Sequence, residues 1–369
     1  MSPSTVLITG ATGFIGGAAA AELLTRRPSC RVLALARGET REISEQRVRQ
    51  SLLRFLSPSV VEKKTTNLGV IHGDLTDPIT LTDPRLTEVT HVVHLAANTS
   101  MRSVRAVRHA NILGTLALAH RMRPVPGLKR FLYVGTAYIC GANPSKIVYE
   151  DDYPRFDVQH LVEYTSSKAE CEMLLELTAP ELPLVIARPS IVVGHTTLGC
   201  LPSSSIFWYY RALNLLRCVP APIEKVKDII PVDYTAAALL HLLFKPKLGY
   251  QRYHISAGTA ASVSWHEIDS AFASVGPTRQ EEPCRVVDFA TLLEERNRLR
   301  ALLGPGDESK LLAVMEQFFK FGASGVEVFD NHRLLEEGMP APPRFTSYLP
   351  ICATLPADRS VYQQMLDEI

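Results

Sequence analysis

The sequence predicts an α/β protein, a doubly wound parallel sheet followed by a smaller, mostly helical C-terminal lobe. Three observations predict it. Short apolar runs alternate with helical patterns up to about residue 258. The first run breaks into glycines and re-forms as an alanine-rich helix. Beyond it the strand-like runs give way to helix caps and glycine stops. Strands that alternate with helices pair in parallel through right-handed crossovers.

The elements follow in order. Val6-Leu-Ile-Thr-Gly10 reads as the first strand, and Ala18 to Leu24 as the helix after its turn. Arg31 to Ala36 is a second strand, followed by a charged helix from about Glu42 to Phe55. Gly69 to His72, His91 to Leu95, Arg130 to Val134 and Leu184 to Ala187 give strands three to six. Between Gly194 and Pro231 proline, serine and aromatics cluster, and the chain is expected to leave the sheet and build a substrate side. Pro231-Val-Asp233 and Tyr253-His-Ile-Ser256 read as returns to the sheet edge. Ser264-Trp-His-Glu267 fits a capping box. Helices are expected from Asp288 to Leu303, stopped by Gly304, and from Asp307 to Phe321, stopped by Gly322. Pro340 to Pro343 is a stiff connector before a last helix from about Asp358. The expected division joins 1–195 with about 228–258 in a nucleotide-binding domain, and 196–227 with about 259–369 in a substrate lobe.

Composition narrows the function classes. The chain has 369 residues, 46% of them hydrophobic, enough for a full core. A formal net charge of +1 gives no footprint for nucleic acid or an acidic membrane. No stretch approaches the roughly 20 apolar residues of a spanning helix, and Tyr234 to Phe244 is too short. The first strand starts within a few residues of Met1, so no signal peptide is expected. The seven cysteines are scattered without a pairing pattern, as expected for reduced thiols in the cytoplasm. His91 and His94 fall on opposite faces of one strand, so the sequence offers no metal site.

Two patterns carry chemistry. In Gly10-Ala-Thr12-Gly13-Phe14-Ile15-Gly16 the glycines let the backbone approach a pyrophosphate, and the helix N-terminus adds N–H donors and a favourable dipole. In Tyr164-Thr-Ser-Ser-Lys168 a phenol and an ammonium share one helix face. A lysine cation there is expected to lower the tyrosine pKa from its usual value near ~10 and fit it for proton transfer to a carbonyl oxygen. A third residue addresses cofactor choice. The position that usually carries an acid for the ribose hydroxyls holds Arg37, whose guanidinium suits a 2′-phosphate. Arg41 and Arg47 lie close by in sequence. Arg37 stacked on adenine or facing water is the alternative.

These motifs together resemble the extended short-chain dehydrogenase/reductase superfamily, with its Rossmann-type fold. Gly73-Asp74-Leu75 is similar to its acidic residue near the adenine, and Leu95-Ala96-Ala97 to its strand end beside the cofactor. Asn111-Ile-Leu-Gly114-Thr115 resembles its central-helix motif, Leu132 to Tyr138 the strand bearing a catalytic hydroxyl, and Arg188-Pro189-Ser190-Ile191 the segment beside the nicotinamide. The resemblance implies a nicotinamide as hydride donor, which Arg37 makes NADPH, with Tyr164 as proton donor, Thr136 as the group holding the carbonyl oxygen, and Lys168 on the ribose. Asn111 either holds a water near Lys168 or serves as a helix-packing or loop-anchoring amide. Tyr138 is a possible substrate contact, and Phe207 to Tyr210 with Phe318 to Phe321 suggest an apolar pocket.

Within the superfamily, Leu35-Ala-Arg37, Gln46 to Leu53, Gly73 to Pro78, Val134 to Tyr138 and Val328-Phe-Asp-Asn331 resemble the thioester reductase and fatty acyl-CoA reductase (male-sterility-type) branch. That implies reduction of a CoA- or carrier-bound acyl thioester, with the acyl donor supplied in trans. Reduction of a ketone or aldehyde is the alternative. A sugar-nucleotide epimerase or dehydratase, which usually binds NAD, and a non-catalytic dinucleotide sensor are more distant ones.

Overall fold

Alternate residues of a strand point to opposite faces, and the apolar runs of this chain use both. Val6, Ile8, Val32, Ala34, Leu132 and Val134 enter one core, while Leu7, Leu33, Leu35, Phe131 and Tyr133 enter the other. A sheet buried on both sides is the result. The computed structural model describes residues 4–99, 103–142, 145–275, 283–294, 297, 308–323, 328–356 and 359–366.

The sheet has seven parallel strands: β1 (Thr5–Thr9), β2 (Arg31–Ala36), β3 (Leu68–His72), β4 (His91–His94), β5 (Arg130–Val134), β6 (Leu184–Pro189) and β7 (Arg252–Ile255). Their spatial order is β7-β6-β5-β4-β1-β2-β3. The order reverses between β1 and β4, and this is where doubly wound sheets bind ligands. One face carries α1 (Phe14–Arg26) and α2 (Arg41–Leu53). The other carries α3 (Gly114–Met122) and α4 (Glu163–Thr178). On the first face α5 (Val232–Phe244) packs on α1 through Ala18, Ala19, Val232 and Ala236, small side chains that let the helices approach closely. His91 meets Phe244 of α5, and His94 meets Phe131 and Tyr133, so the two histidines do face apart.

The texture change after Gly194 marks a second core. Phe207, Trp208, Tyr209 and Tyr210 of a helix spanning Phe207–Leu216 pack with Trp265, Ile268, Met315, Phe319, Phe345 and Met365. The capping box is present at Ser264, heading the helix Trp265–Ala273.

The structure corrects two expectations. Pro231 to Asp233 is no sheet edge: Pro231 is the N-cap of α5, with Asp233 in its first turn. The pairing there belongs to Ile229–Ile230 with Ile191–Val192, outside the main sheet. Gly322 lies inside its helix, which runs Glu308–Ala323, and the Lys227 ammonium donates to the Gly322 carbonyl, in the last turn, at 2.8 Å. The C-terminal third is mostly helical as expected, with a few short strands, among them Val328–Phe329 paired with Ile147–Val148. Of the predicted helix 288–303, Phe289–Glu294 is described and is helical. Gly304, Asp307 and Asp358 lie outside the described residues, within which the last helix is Val361–Leu366. Among the described residues, no helix is long and apolar enough to cross a membrane. The seven cysteines are free thiols.

Candidate active site

β1 ends in a turn that only glycine can make. Gly10 has φ +74°, and a Cβ there would lie 2.8 Å from the Ala96 nitrogen. A Cβ on Gly16 would lie 2.1 Å from the Gly10 carbonyl oxygen, so this glycine sets how closely α1 approaches the strand. The N-terminus of α1, capped by Gly13, has no side-chain cap and no acid in its first turn. The bare loop backbone and the unneutralised dipole together fit a dinucleotide pyrophosphate.

Behind the loop a buried relay fixes the switch point. Thr9 Oγ1 is 2.6 Å from His94 Nδ1, and His94 Nε2 is 2.7 Å from Thr115 Oγ1. Thr115 donates to the Asn111 carbonyl, and Thr9 accepts from the Ala96 N–H. The hydroxyl directions therefore place the imidazole proton on Nε2. Burial and the Lys168 ammonium push the His94 pKa down to about 3, so the relay is neutral.

Tyr164 and Lys168 lie in the first turns of α4, and α4 is held at several points. Arg108 pairs with Glu163 at 3.1 Å and with Glu170 at 2.7 Å. Glu172, fully buried, receives two hydrogen bonds from the equally buried Arg188, just before Pro189. An ion pair buried on both sides needs this fork geometry to offset its desolvation. It fixes the helix bearing Tyr164 against the strand end bearing Pro189.

The functional side chains then meet. Gly10, Thr12, Gly13, Phe14, Ile15, Gly16, Leu95, Ala97, Thr136, Tyr164, Lys168, Pro189, Ser190 and Ile191 all line one cleft of about 610 Å³. That is the size of a site for one drug-sized ligand. Thr136, at the end of β5, accepts the Tyr138 N–H at 3.3 Å. Lys168 is buried; its Nζ donates to the Val134 carbonyl at 2.8 Å and lies 4.9 Å from the Tyr133 ring centre. Burial lowers its pKa to about 8. Tyr164 departs from the expectation, because burial raises its pKa to about 12. With Lys168 turned to the Val134 carbonyl, desolvation alone sets the phenol, which is held protonated.

Five candidates lie elsewhere. Asn111, in a π-helical turn spanning His109–Leu113, gives its amide to the Asn98 carbonyl at 3.1 Å and Ser167 Oγ at 2.9 Å. Its oxygen accepts the Asn98 N–H at 2.7 Å. It is a loop anchor rather than a lining residue. Ala96 sits behind Gly10. Arg37, exposed, and Asp74, half-buried, lie 3.7 Å apart beyond the ends of β2 and β3. Leu75 lines a separate groove of about 420 Å³. Arg47 donates to the Arg37 carbonyl at 2.8 Å, and Arg41 is taken up by Glu45.

Sequence reasoning missed Arg54, Thr99, Val162, Ser203, Ser205 and Ile206 in the cleft lining. Arg54 follows α2 and donates to the carbonyls of Thr12 at 2.9 Å and Gly13 at 3.0 Å, to Ser51 Oγ, and to the Pro202 carbonyl at 3.4 Å. The available signal was Ser51, a small polar residue on the buried face of a charged helix, whose hydroxyl reaches the Ala11 carbonyl. Ser205 carries φ +43°, a strained conformation for a serine, of the kind found at functional sites. Phe207 to Tyr210, expected at the pocket, are core residues, whereas Phe318 and Phe321 do line the cleft. Glu150, Asp330 and His332 bring ligand atoms within 4.8 Å of one another, a grouping the sequence hid by its spacing. Glu150 accepts the backbone N–H groups of His254 and Arg333 there, as a strut between segments.

The sheet order, the glycine turn and the cleft at the switch point define an extended short-chain dehydrogenase/reductase fold that binds a nicotinamide dinucleotide. The chain belongs to the Male sterility protein family, which it matches over residues 8–239. It is 25% identical to the nonribosomal peptide synthetase FrzA of Cladobotryum sp over 90% of this chain and 33% of that protein. It is 28% identical to human (Homo sapiens) fatty acyl-CoA reductase 2 over 71% of this chain and 59% of that one. The chain thus spans about a third of one relative and under two thirds of the other. In fold it is similar to the terminal R domain of the myxalamid PKS-NRPS pathway, with a TM-score of 0.77, 21% identity, and 96% and 90% of the two chains covered.

Proposed function

We propose that this protein is an NADPH-dependent reductase of acyl thioesters, CoA- or carrier-bound, acting in the cytoplasm. The observation that carries the reading is the meeting of Thr136, Tyr164 and Lys168 in the cleft that also holds the glycine loop. Support comes from the fatty acyl-CoA reductase among its relatives, whose name describes reduction of a thioester. We assign 1–195 with about 228–258 to cofactor binding and 196–227 with about 259–369 to the substrate.

The glycine turn, the α1 N-terminus and Arg37 would hold the cofactor, with Asp74 toward its adenine, Leu95 and Ala97 flanking it and Pro189 to Ile191 toward its nicotinamide. When bound, it supplies a hydride to the carbonyl carbon. Thr136 holds the carbonyl oxygen by a hydrogen bond, and Tyr164, protonated at neutral pH, gives that oxygen its proton. The Lys168 cation holds ribose and steadies the developing charge. Collapse of the hemithioacetal returns the proton from oxygen and expels the thiol. The sum is R–CO–SR′ + NADPH + H⁺ → R–CHO + HSR′ + NADP⁺.

Thiol release tests this directly. Turnover of acyl-CoA or carrier-bound acyl substrates should release one free thiol per thioester consumed, alongside loss of NADPH absorbance. Rapid NADPH oxidation with ketones or aldehydes, and none with any thioester, would overturn the reading.

A further inference from the structure

We infer that the acyl end of the cleft is a blunt aromatic pocket that admits compact acyl groups, short, branched or aryl, and rejects long unbranched chains. The inference rests on the thioester reading and names its substrate class. Tyr138, Val162, Ile206, Phe318 and Phe321 supply the apolar lining beside Thr136 and Tyr164. Two of these rings are backed by other rings. Phe318 lies 5.4 Å from both Trp208 and Tyr209, and Tyr138 lies 5.8 Å from Phe321 and 4.9 Å from Phe329, edge to face. Trp208 and Phe329 are buried, so the walls have no room to retreat.

The helix that carries Phe318 and Phe321 is pinned at its end. A Cβ on Gly322 would meet Pro220 at 2.5 Å and the Tyr209 hydroxyl at 3.2 Å, so the backbone already lies against both. Lys227 holds the Gly322 carbonyl from below. The cleft of about 610 Å³ must take the nicotinamide end of the cofactor as well as the acyl group. The groove at Leu75, about 420 Å³, shares no lining residue with this cleft. A sixteen-carbon chain therefore meets an aromatic wall where a long-chain enzyme needs a tunnel.

The test is a size series of CoA thioesters, acetyl, butanoyl, phenylacetyl and hexadecanoyl, kept below micelle-forming concentrations, with matched aldehydes alongside. Thiol release and product mass are read for each. The expected kcat/KM for the best compact substrate exceeds that for hexadecanoyl-CoA by at least about tenfold, the least a shaped apolar pocket imposes. Phe318→Ala, which opens space toward Trp208 and Tyr209, should narrow that gap, and Phe321→Leu provides a milder change if the first variant unfolds. Hexadecanoyl-CoA reduced as efficiently as the compact substrates would overturn the inference. If no thioester releases thiol, the thioester reading falls, and the aldehydes, ranked by the same sizes, still decide whether the pocket is blunt.

Discussion

Lys168 donates from Nζ to the Val134 carbonyl at 2.8 Å, which ties the ammonium of α4 to the end of β5 under the cleft floor. This contact gives the buried cation a hydrogen bond but does not cover the cost of its burial, so its pKa falls from 10.5 to about 8. Activity that needs the cation should decline as pH rises through about 8 in a kcat/KM profile. Stability should move the other way. Between about 8 and 10.5 the unfolded chain binds a proton that the folded one has released, so this group's contribution to stability rises with pH. Lys168→Arg, which stays charged, should remove the falling limb. A limb unchanged in that variant would assign it to another group.

Tyr164 should add no limb of its own below pH 10, since burial holds its pKa near 12. As proton donor it is loaded at every working pH. Tyr164→Phe should cut turnover by roughly 100-fold or more, the usual scale of a lost general acid. Dinucleotide affinity, measured by fluorescence titration, should survive because the ring still packs. Near wild-type turnover would remove Tyr164 from the mechanism.

The sequence carried the sheet well because each strand is a short apolar run and each face has its own alternating set, as in Val6, Leu7 and Ile8. The glycine turn was equally legible, since Gly10 and Gly16 answer to steric demands that admit no other residue. Long-range partners were not legible. Nothing local in Arg54 says that it reaches back to Thr12 and Gly13, and nothing in Lys168 says that it turns to Val134. Phe207 to Tyr210 and Phe318 to Phe321 look alike as aromatic clusters. Only packing separates the first, all core, from the second, in which Phe318 and Phe321 face the cleft.

Arg37 tests cofactor choice. Its guanidinium is exposed beyond β2, 3.7 Å from Asp74, with its backbone held by Arg47. A hydrogen bond to a charged phosphate contributes roughly 1.5–3 kcal/mol. Arg37→Asp, which also sets a second carboxylate beside Asp74, should lower the NADPH over NADH preference by more than about tenfold. Ratios of kcat/KM for the two cofactors measure it, and an unchanged ratio would mean that Arg37 faces only water.

Arg54 joins the glycine loop to the segment that carries Ser203 and Ser205 on the opposite wall of the cleft. It grips the Thr12 and Gly13 carbonyls with one nitrogen and reaches Pro202 with the other. Carbonyls drawn toward Arg54 leave the opposite side of their peptide planes turned away from it. The guanidinium thus sets the loop's orientation before any ligand arrives. Arg54→Ala should remove charge-assisted bonds and lower stability by about 1–3 kcal/mol, seen as a fall in Tm. It should also weaken dinucleotide binding by about tenfold or more, with kcat at saturating cofactor changed far less, as expected for a positioning residue. Arg54→Lys, which keeps the charge but loses the fork, should recover only part of the affinity. Full recovery by lysine would show that charge alone matters there and that the carbonyl clamp does not set the loop.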